Sequence, residues 1–386
     1  MAIKKTIGVF FGGQSVEHEI SVISALEACA HISKELYKII PVYIDKQGDW
    51  YSGQELLILS HYSQENAYKK LGKKVFFKQG QDPYLYEEGF FGKKYKIDVV
   101  FPILHGTKGE DGAFQGFITL KGLPLVGSSV LASALAMDKI ITKILLKNEN
   151  IPVVDFFYCS KNDILSNTQN VIKNIESKFT YPLIVKPYNL GSSVGINKVN
   201  NKEELFQSLI LAVEYSLKVL VEPFLSNLEE YNCAVLGKQG SYKVSLIEKP
   251  LSDNSFLSYQ DKYLSKGVKR GMTSLKRELP ANITEDLKKK IEEYTIAAAS
   301  IFDLSGVARI DFLYSNNKLY LCEINTIPGT LAFYLWSQGF EQLLNEMITI
   351  ALDKDYEEKL LFKNHSINIL KNFKDVSSSQ KMGSKR

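Results

Sequence analysis

Two apolar stretches near the end of the chain, GVARIDFLY and KLYLCEIN, carry the side chains best suited to chemistry. Residues two apart on a strand share a face, so Arg309 pairs with Asp311 on the first stretch and Glu323 with Asn325 on the second. Asp311, Glu323 and Asn325 are hard oxygen donors of the kind that hold Mg²⁺ while leaving room for phosphate oxygens. A solvated sheet face is the plainer reading, but apolar neighbours on both strands imply half burial, where carboxylates need a partner cation. Parity adds a condition. A two-residue Asn-Asn loop between the strands would put Asp311 and Glu323 on opposite faces, so joint action demands an odd loop or a bulge.

Three further stretches offer ligand chemistry. YPLIVKPYNLGSSVGI ends an apolar strand in Lys186 and continues into a loop with Gly191, Ser192, Ser193 and Gly195, whose free N–H groups and hydroxyls can wrap phosphate oxygens beside the lysine charge. It lacks the GxxxxGK[ST] spacing of a P-loop, and a Gly/Ser surface turn is its bland reading. HGTKGEDGAFQG puts His105, one of five histidines, at the carboxyl end of a strand, although a capped helix start with Asp111 explains most of that pattern. GVFFGGQSVEHEIS places glycines at a strand-to-helix turn but is not GxGxxG, which disfavours a dinucleotide-binding dehydrogenase; an ordinary tight turn with Glu17 and Glu19 as first-turn charges is equally consistent.

Positioning these groups requires a large soluble scaffold. The chain has 386 residues, 45% hydrophobic and 23% charged, enough for two or three domains. A net charge of +4 from 47 basic and 43 acidic residues leaves no nucleic-acid footprint. Cys29, Cys159, Cys233 and Cys322 are too scattered for CxxC metal spacing and fit a reducing compartment. No apolar span reaches 18 residues, and the N-terminal apolar run is too short for a signal peptide, so a cytoplasmic protein with no membrane partner is expected. Residues 1–130 alternate strand and helix, predicting an open α/β domain whose ligands gather at the carboxyl ends of the strands. Short strands or a hairpin are expected across residues 50–96. A helix spanning VGSSVLASALAMDKIITKILLKNENIPV leads into α+β texture, and Thr284 is the expected N-cap of the helix that follows it. SSSQKMGSKR reads as a disordered tail.

In order, EHEIS, HGTKGEDGAFQG, MDK, VKPYNLGSSVGI, VEPFL, RID and EINTIPG resemble the D-alanine–D-alanine ligases of the ATP-grasp superfamily, over residues 7 to about 350. The resemblance implies an N-terminal open parallel-sheet (pre-ATP-grasp) domain, residues 1–130, followed by an ATP-grasp fold. That fold comprises a central subdomain 131–230 and a C-terminal subdomain 231–353 with a lid at about 252–275, and residues 354–386 form an extension. It implies ATP and Mg²⁺, with Mn²⁺ as an alternative, and D-alanine as substrate, in a homodimer that makes D-alanyl-D-alanine for peptidoglycan. Lys139 and Lys186 would be phosphate lysines, with Ser193 and Ser192 in the loop above the phosphates. Glu222, with the backbone up to Leu225, would face adenine and Glu230 the ribose, while Lys262 would touch the γ-phosphate. Asp311, Glu323 and Asn325 match the metal ligands. Glu17 would bind the amine of the first D-alanine in a network with Ser192 and Tyr263, and His105 would lie near its carboxylate. Arg309 and the N–H of Gly329 would stabilise an oxyanion.

One stretch departs from the family. A hydroxyl-rich run normally follows EINTIPG, including a serine for the second substrate's carboxylate, but this chain reads TLAFYLW. Tyr334, with Leu335 beside it, falls at that substrate-binding position. A ligase with a different acceptor is therefore a second expectation, and a nucleotide-binding protein without turnover is a third.

Overall fold

The structure, a computed structural model, describes residues 4–63, 66–191, 194–251 and 276–361. A seven-stranded sheet comes first, in the order Lys94–Lys96, Tyr84–Glu87, Lys73–Phe77, Trp50–Ser52, Tyr37–Ile44, Lys5–Gly12, Val99–Ile103. Only its last three strands are mutually parallel. They are covered on both sides, which is why KTIGVFFG is apolar without alternation. Ile7, Val9 and Phe11 pack with Val22 and Ala25 of the helix His18–His31, while Phe10 packs against Phe114 and Ile118 of the helix Ala113–Leu120. Residues 50–96 extend the sheet as an antiparallel ribbon.

The expected single helix before the central region is two, Val130–Met137 and Lys139–Asn148. Asp138 causes the break. Its backbone is extended (φ −84°, ψ 99°) and its carboxylate accepts from the N–H groups of Ile140 and Ile141, capping a new helix. Lys139 therefore occupies the first position of a helix aimed at the cleft.

A four-stranded antiparallel sheet follows, ordered Asn197–Val199, Leu183–Pro187, Lys218–Pro223, Phe157–Ser160. The third sheet is antiparallel and five-stranded, ordered Arg277–Glu278, Lys243–Pro250, Glu229–Gly237, Gly306–Ser315, Lys318–Asn325. The helix Glu285–Ile301 covers it with Ile291, Ala298 and Ala299, capped as expected by Thr284, whose hydroxyl accepts from the N–H of Leu287. Helix Phe340–Leu361 then returns to the first sheet, burying Leu343, Leu344, Met347 and Ile348 in the core of the parallel strands. It runs unbroken through residue 353. The tail expected after it lies outside the described residues.

The parity condition is met by a bulge. Asn316 and Asn317 make a two-residue turn, both at positive φ (49° and 62°). From there the ladder is regular as far as Phe312 opposite Leu321, and then Asp311 faces Glu323 and Arg309 faces Asn325, leaving Cys322 as the extra residue. The four polar groups thus share one face.

Candidate functional site

Two hollows meet at that face. One is largely apolar, walled by Ile184, Ile196, Phe224, Leu225, Leu228 and Leu313, with Lys186 and Glu222 at its base. The other is polar and includes Glu17, His105, Glu110, Arg309, Asn325, Gly329 and Tyr334. Lys139, Gly191, Glu230, Asn232, Asp311 and Glu323 line both. The carboxylate pair therefore stands at the junction of an apolar and a polar chamber.

Each charge on this wall has a partner. Arg309 donates through Nε and Nη2 to the two oxygens of Asp311 at 2.6 and 2.8 Å, and Asn325 Nδ2 donates to Asp311 Oδ2 at 3.0 Å. Burial opposes the charge of Arg309, but Asp311 outweighs it and raises the guanidinium pKa. Lys139 Nζ lies 3.2 Å from Glu323 Oε2 and donates to the carbonyl of Leu190. Among the described residues no three or more His, Cys, Asp and Glu side chains converge on a metal position, so a cation here would take two carboxylates with the Asn325 amide oxygen as third donor.

Beneath the apolar chamber Glu222, 4% exposed, sits between two buried lysines, Lys143 at 2.5 Å and Lys186 at 2.6 Å. Burial would raise its pKa, yet the two ammonium groups outweigh burial and hold it below the usual carboxylate range. Burial likewise opposes charge on Lys186, and Glu222 reverses that, raising its pKa. The cluster of two lysines and one carboxylate carries a net positive charge at the chamber floor. Lys143 went unnoticed in the sequence. A lysine one turn after Lys139 within the apolar stretch IITKILL was the available signal.

In the polar chamber Glu17 packs between two loops. A Cβ on Gly106 or on Gly191 would come within 2.8 Å of Glu17 Oε2, so glycine at both positions lets the carboxylate sit this close to the two loops. Glu110, also missed, joins the two ends of the chamber by accepting from the N–H of Gly106 at 2.7 Å and of Ile327 at 3.0 Å. Complete burial, helped by the charge of Glu17, pushes its pKa up to about 8. His105 is placed at the chamber, but both ring nitrogens are engaged. Nδ1 lies 2.8 Å from the carbonyl of Ile327, which fixes the proton there, and Nε2 accepts from Ser24 Oγ at 3.1 Å. Burial lowers its pKa to about 4. Ser24 in turn accepts from the N–H of Thr330, so this chain of bonds steadies the turn that presents Gly329.

That turn is strained. Thr330, Leu331 and Ala332 are successive residues at φ near +50°, a left-handed run costing about 1–2 kcal/mol per residue. Leu331, Ala332 and Leu335 are fully buried beneath it, offsetting the cost. The Leu335 side chain thus lies in a small core with Ala234 rather than on the chamber wall, where Tyr334 stands. Ser192, Ser193, Lys262 and Tyr263 lie outside the described residues.

An apolar chamber with a cationic floor, a carboxylate pair and a polar chamber beyond it define a nucleotide-dependent ligase of the ATP-grasp class. The families described as "D-ala D-ala ligase N-terminus" and "D-ala D-ala ligase C-terminus" match residues 6–128 and 145–348. The D-alanine–D-alanine ligase of Thermosipho melanesiensis is 39% identical over 369 residues, covering 95% of this chain and 98% of its own. Among solved structures, the D-alanine–D-alanine ligase of Coxiella burnetii is 31% identical with a TM-score of 0.79, covering 93% of this chain and 97% of that one. The VanG D-Ala:D-Ser ligase of Enterococcus faecalis is also 31% identical, with a TM-score of 0.75, covering 90% of this chain and 100% of its own. The chain belongs to the D-alanine–D-alanine ligase family.

Proposed function

We propose that this chain joins two D-alanines into D-alanyl-D-alanine at the expense of ATP, for peptidoglycan precursors. The observation that carries the reading is the bulged strand pair that sets Asp311 opposite Glu323 where the two chambers meet. Adenine enters the apolar chamber beside Leu225 and the Glu222 backbone, the ribose reaches Glu230, and Lys186 and Lys139 receive the phosphates. The oxygen donors Asp311, Glu323 and Asn325 suit Mg²⁺ or Mn²⁺, and a cation held there supplies charge neutralisation at the phosphate oxygens. Glu17 receives the donor's ammonium.

The donor carboxylate attacks the γ-phosphorus, ADP leaves, and an acylphosphate forms. The acceptor amine then attacks the acyl carbon, losing a proton as the amide bond forms and phosphate departs. Arg309 has donated two of its five N–H groups to Asp311, and together with the N–H of Gly329 it faces the oxyanion of that second step. His105, neutral and doubly bonded, positions the Gly329 turn. The reaction belongs in the cytoplasm, where ATP is available. A homodimer is expected, and mass measurement in solution checks it.

A second reading changes the acceptor. It is favoured by Tyr334, which stands on the chamber wall in place of the small hydroxyl residue of the family, and by the likeness to a ligase whose acceptor is D-serine. Phosphate release from ATP and Mg²⁺ with D-alanine alone, then with a panel of second substrates, and products identified by mass, decides between the two. Dipeptide from D-alanine alone supports the first reading. Turnover that rises sharply with another acceptor supports the second, and no ADP with any acceptor refutes both.

A further inference from the structure

The acceptor needs a group that recognises its carboxylate, and Tyr334 has no hydroxyl proton to give. Its O–H donates to Glu248 Oε2 at 3.2 Å, so its oxygen would present lone pairs to an arriving carboxylate. What the ring does is support a guanidinium. Arg277 lies flat against it, Cζ 4.1 Å from the ring centroid, and its Nη1 is 3.2 Å from Glu248 Oε1. Glu248 also accepts from Asn232 Nδ2 at 2.9 Å, so a buried carboxylate, itself fixed at both oxygens, fixes the tyrosine and the arginine together. The Arg277 side chain is 14% exposed and borders the polar chamber that Arg309 and Gly329 also line. Lys139 and Arg309, the other cations lining this chamber among the described residues, are assigned above to the phosphates and to the oxyanion.

We propose that Arg277, held against Tyr334 by Glu248, is the carboxylate-recognising residue for the second substrate, so that this chain selects acceptors bearing a free α-carboxylate through a guanidinium. The proposal rests on the ligase reading above. An α-amino acid carries its carboxylate one carbon from the attacking amine, so the carboxylate must land on the wall close to the oxyanion groups. Arginine's planar fork presents donors along more than one edge, which lets Glu248 occupy one while a substrate carboxylate takes another. Arg277 is anchored on the edge strand of the third sheet. It opens the strand Arg277–Glu278, where Pro250 pairs with Arg277, and the N–H of Leu251 donates to the carbonyl of Lys276.

The test varies enzyme and acceptor together. D-alaninamide has no carboxylate to be phosphorylated, so it acts only as an acceptor, and its product differs in mass from the dipeptide. With D-alanine saturating as donor, the wild type should prefer D-alanine over D-alaninamide as acceptor by about 10- to 100-fold in kcat/KM, the value of a hydrogen-bonded charge pair. R277Q should raise the acceptor KM for D-alanine by about that factor and leave D-alaninamide turnover and the ATP KM nearly unchanged, erasing the preference. R277K should restore part of it. Equal losses toward both acceptors in R277Q would show a merely structural residue and overturn the proposal, as would an unchanged preference. A wild type that forms no ADP with D-alanine and any acceptor overturns the ligase reading itself, a result separable from the R277Q outcomes.

Discussion

Replacing Glu222 with Gln tests the floor of the nucleotide chamber. The side chain keeps its shape but loses its charge, leaving Lys143 and Lys186, 1% and 7% exposed, side by side without a counterion. Breaking a buried ion pair from one side costs about 3–5 kcal/mol, because the remaining charge stays desolvated. Converted at about 2 °C per kcal/mol, the low end for large chains, the melting temperature should fall by about 6–10 °C at pH 7.5. The pH dependence identifies the cause. In the wild type Lys186 has its pKa raised by Glu222, so its contribution is complete below the unfolded lysine value and is lost only above it. Between pH 7.5 and 9.5 the wild type is therefore flat with respect to this group. In the variant the burial that opposes charge on Lys186 is no longer offset by Glu222, so raising the pH neutralises Lys186 more readily in the folded state and the gap to wild type should narrow. Calorimetry at both pH values checks this. A variant melting within about 2 °C of wild type at pH 7.5, or a gap independent of pH, would refute the assignment of Glu222 as the counterion of both lysines.

Lys143→Met should preserve the fold, since it leaves a one-to-one pair, but should raise the ATP KM by about 10-fold because Lys186 is then committed to Glu222; an unchanged ATP KM by coupled assay counts against it. For His105, a folded pKa near 4 against about 6.5 unfolded means the native state refuses a proton that the unfolded chain accepts, so stability is complete above pH 6.5 and falls by about 3 kcal/mol on going to pH 4. His105→Gln should lose less stability over that window, and parallel melting curves for the two proteins would contradict the bonding described here. Glu323→Gln should raise the Mg²⁺ requirement and cut kcat by at least about 100-fold with the melting temperature little changed; full activity at saturating Mg²⁺ would remove Glu323 from the metal site.

Much of the site was legible in the sequence because its chemistry is local. Lys186 at the end of an apolar strand, the glycines after it, and the spacing of Arg309 with Asp311 and of Glu323 with Asn325 each need only a few consecutive residues to read. Strand periodicity alone placed each pair on a common face, and Thr284 announced its helix through a cap that acts within one turn. The break at Asp138 was equally local and was overlooked only because the apolar pattern continues across it.

The rest belongs to the tertiary structure, and for one physical reason: it depends on what lies across a gap in space. Parity required a bulge but could not say where, and the extra residue proved to be Cys322, a matter of how two strands pair over their whole length. Lys143 and Glu222 are 79 positions apart, and nothing in either segment shows that one buried carboxylate balances two lysines. Tyr334 could be flagged as out of place from its position alone. Only its contacts with Glu248 and Arg277, on strands that meet beside the chamber, reveal that its hydroxyl is engaged and that a guanidinium lies against its ring.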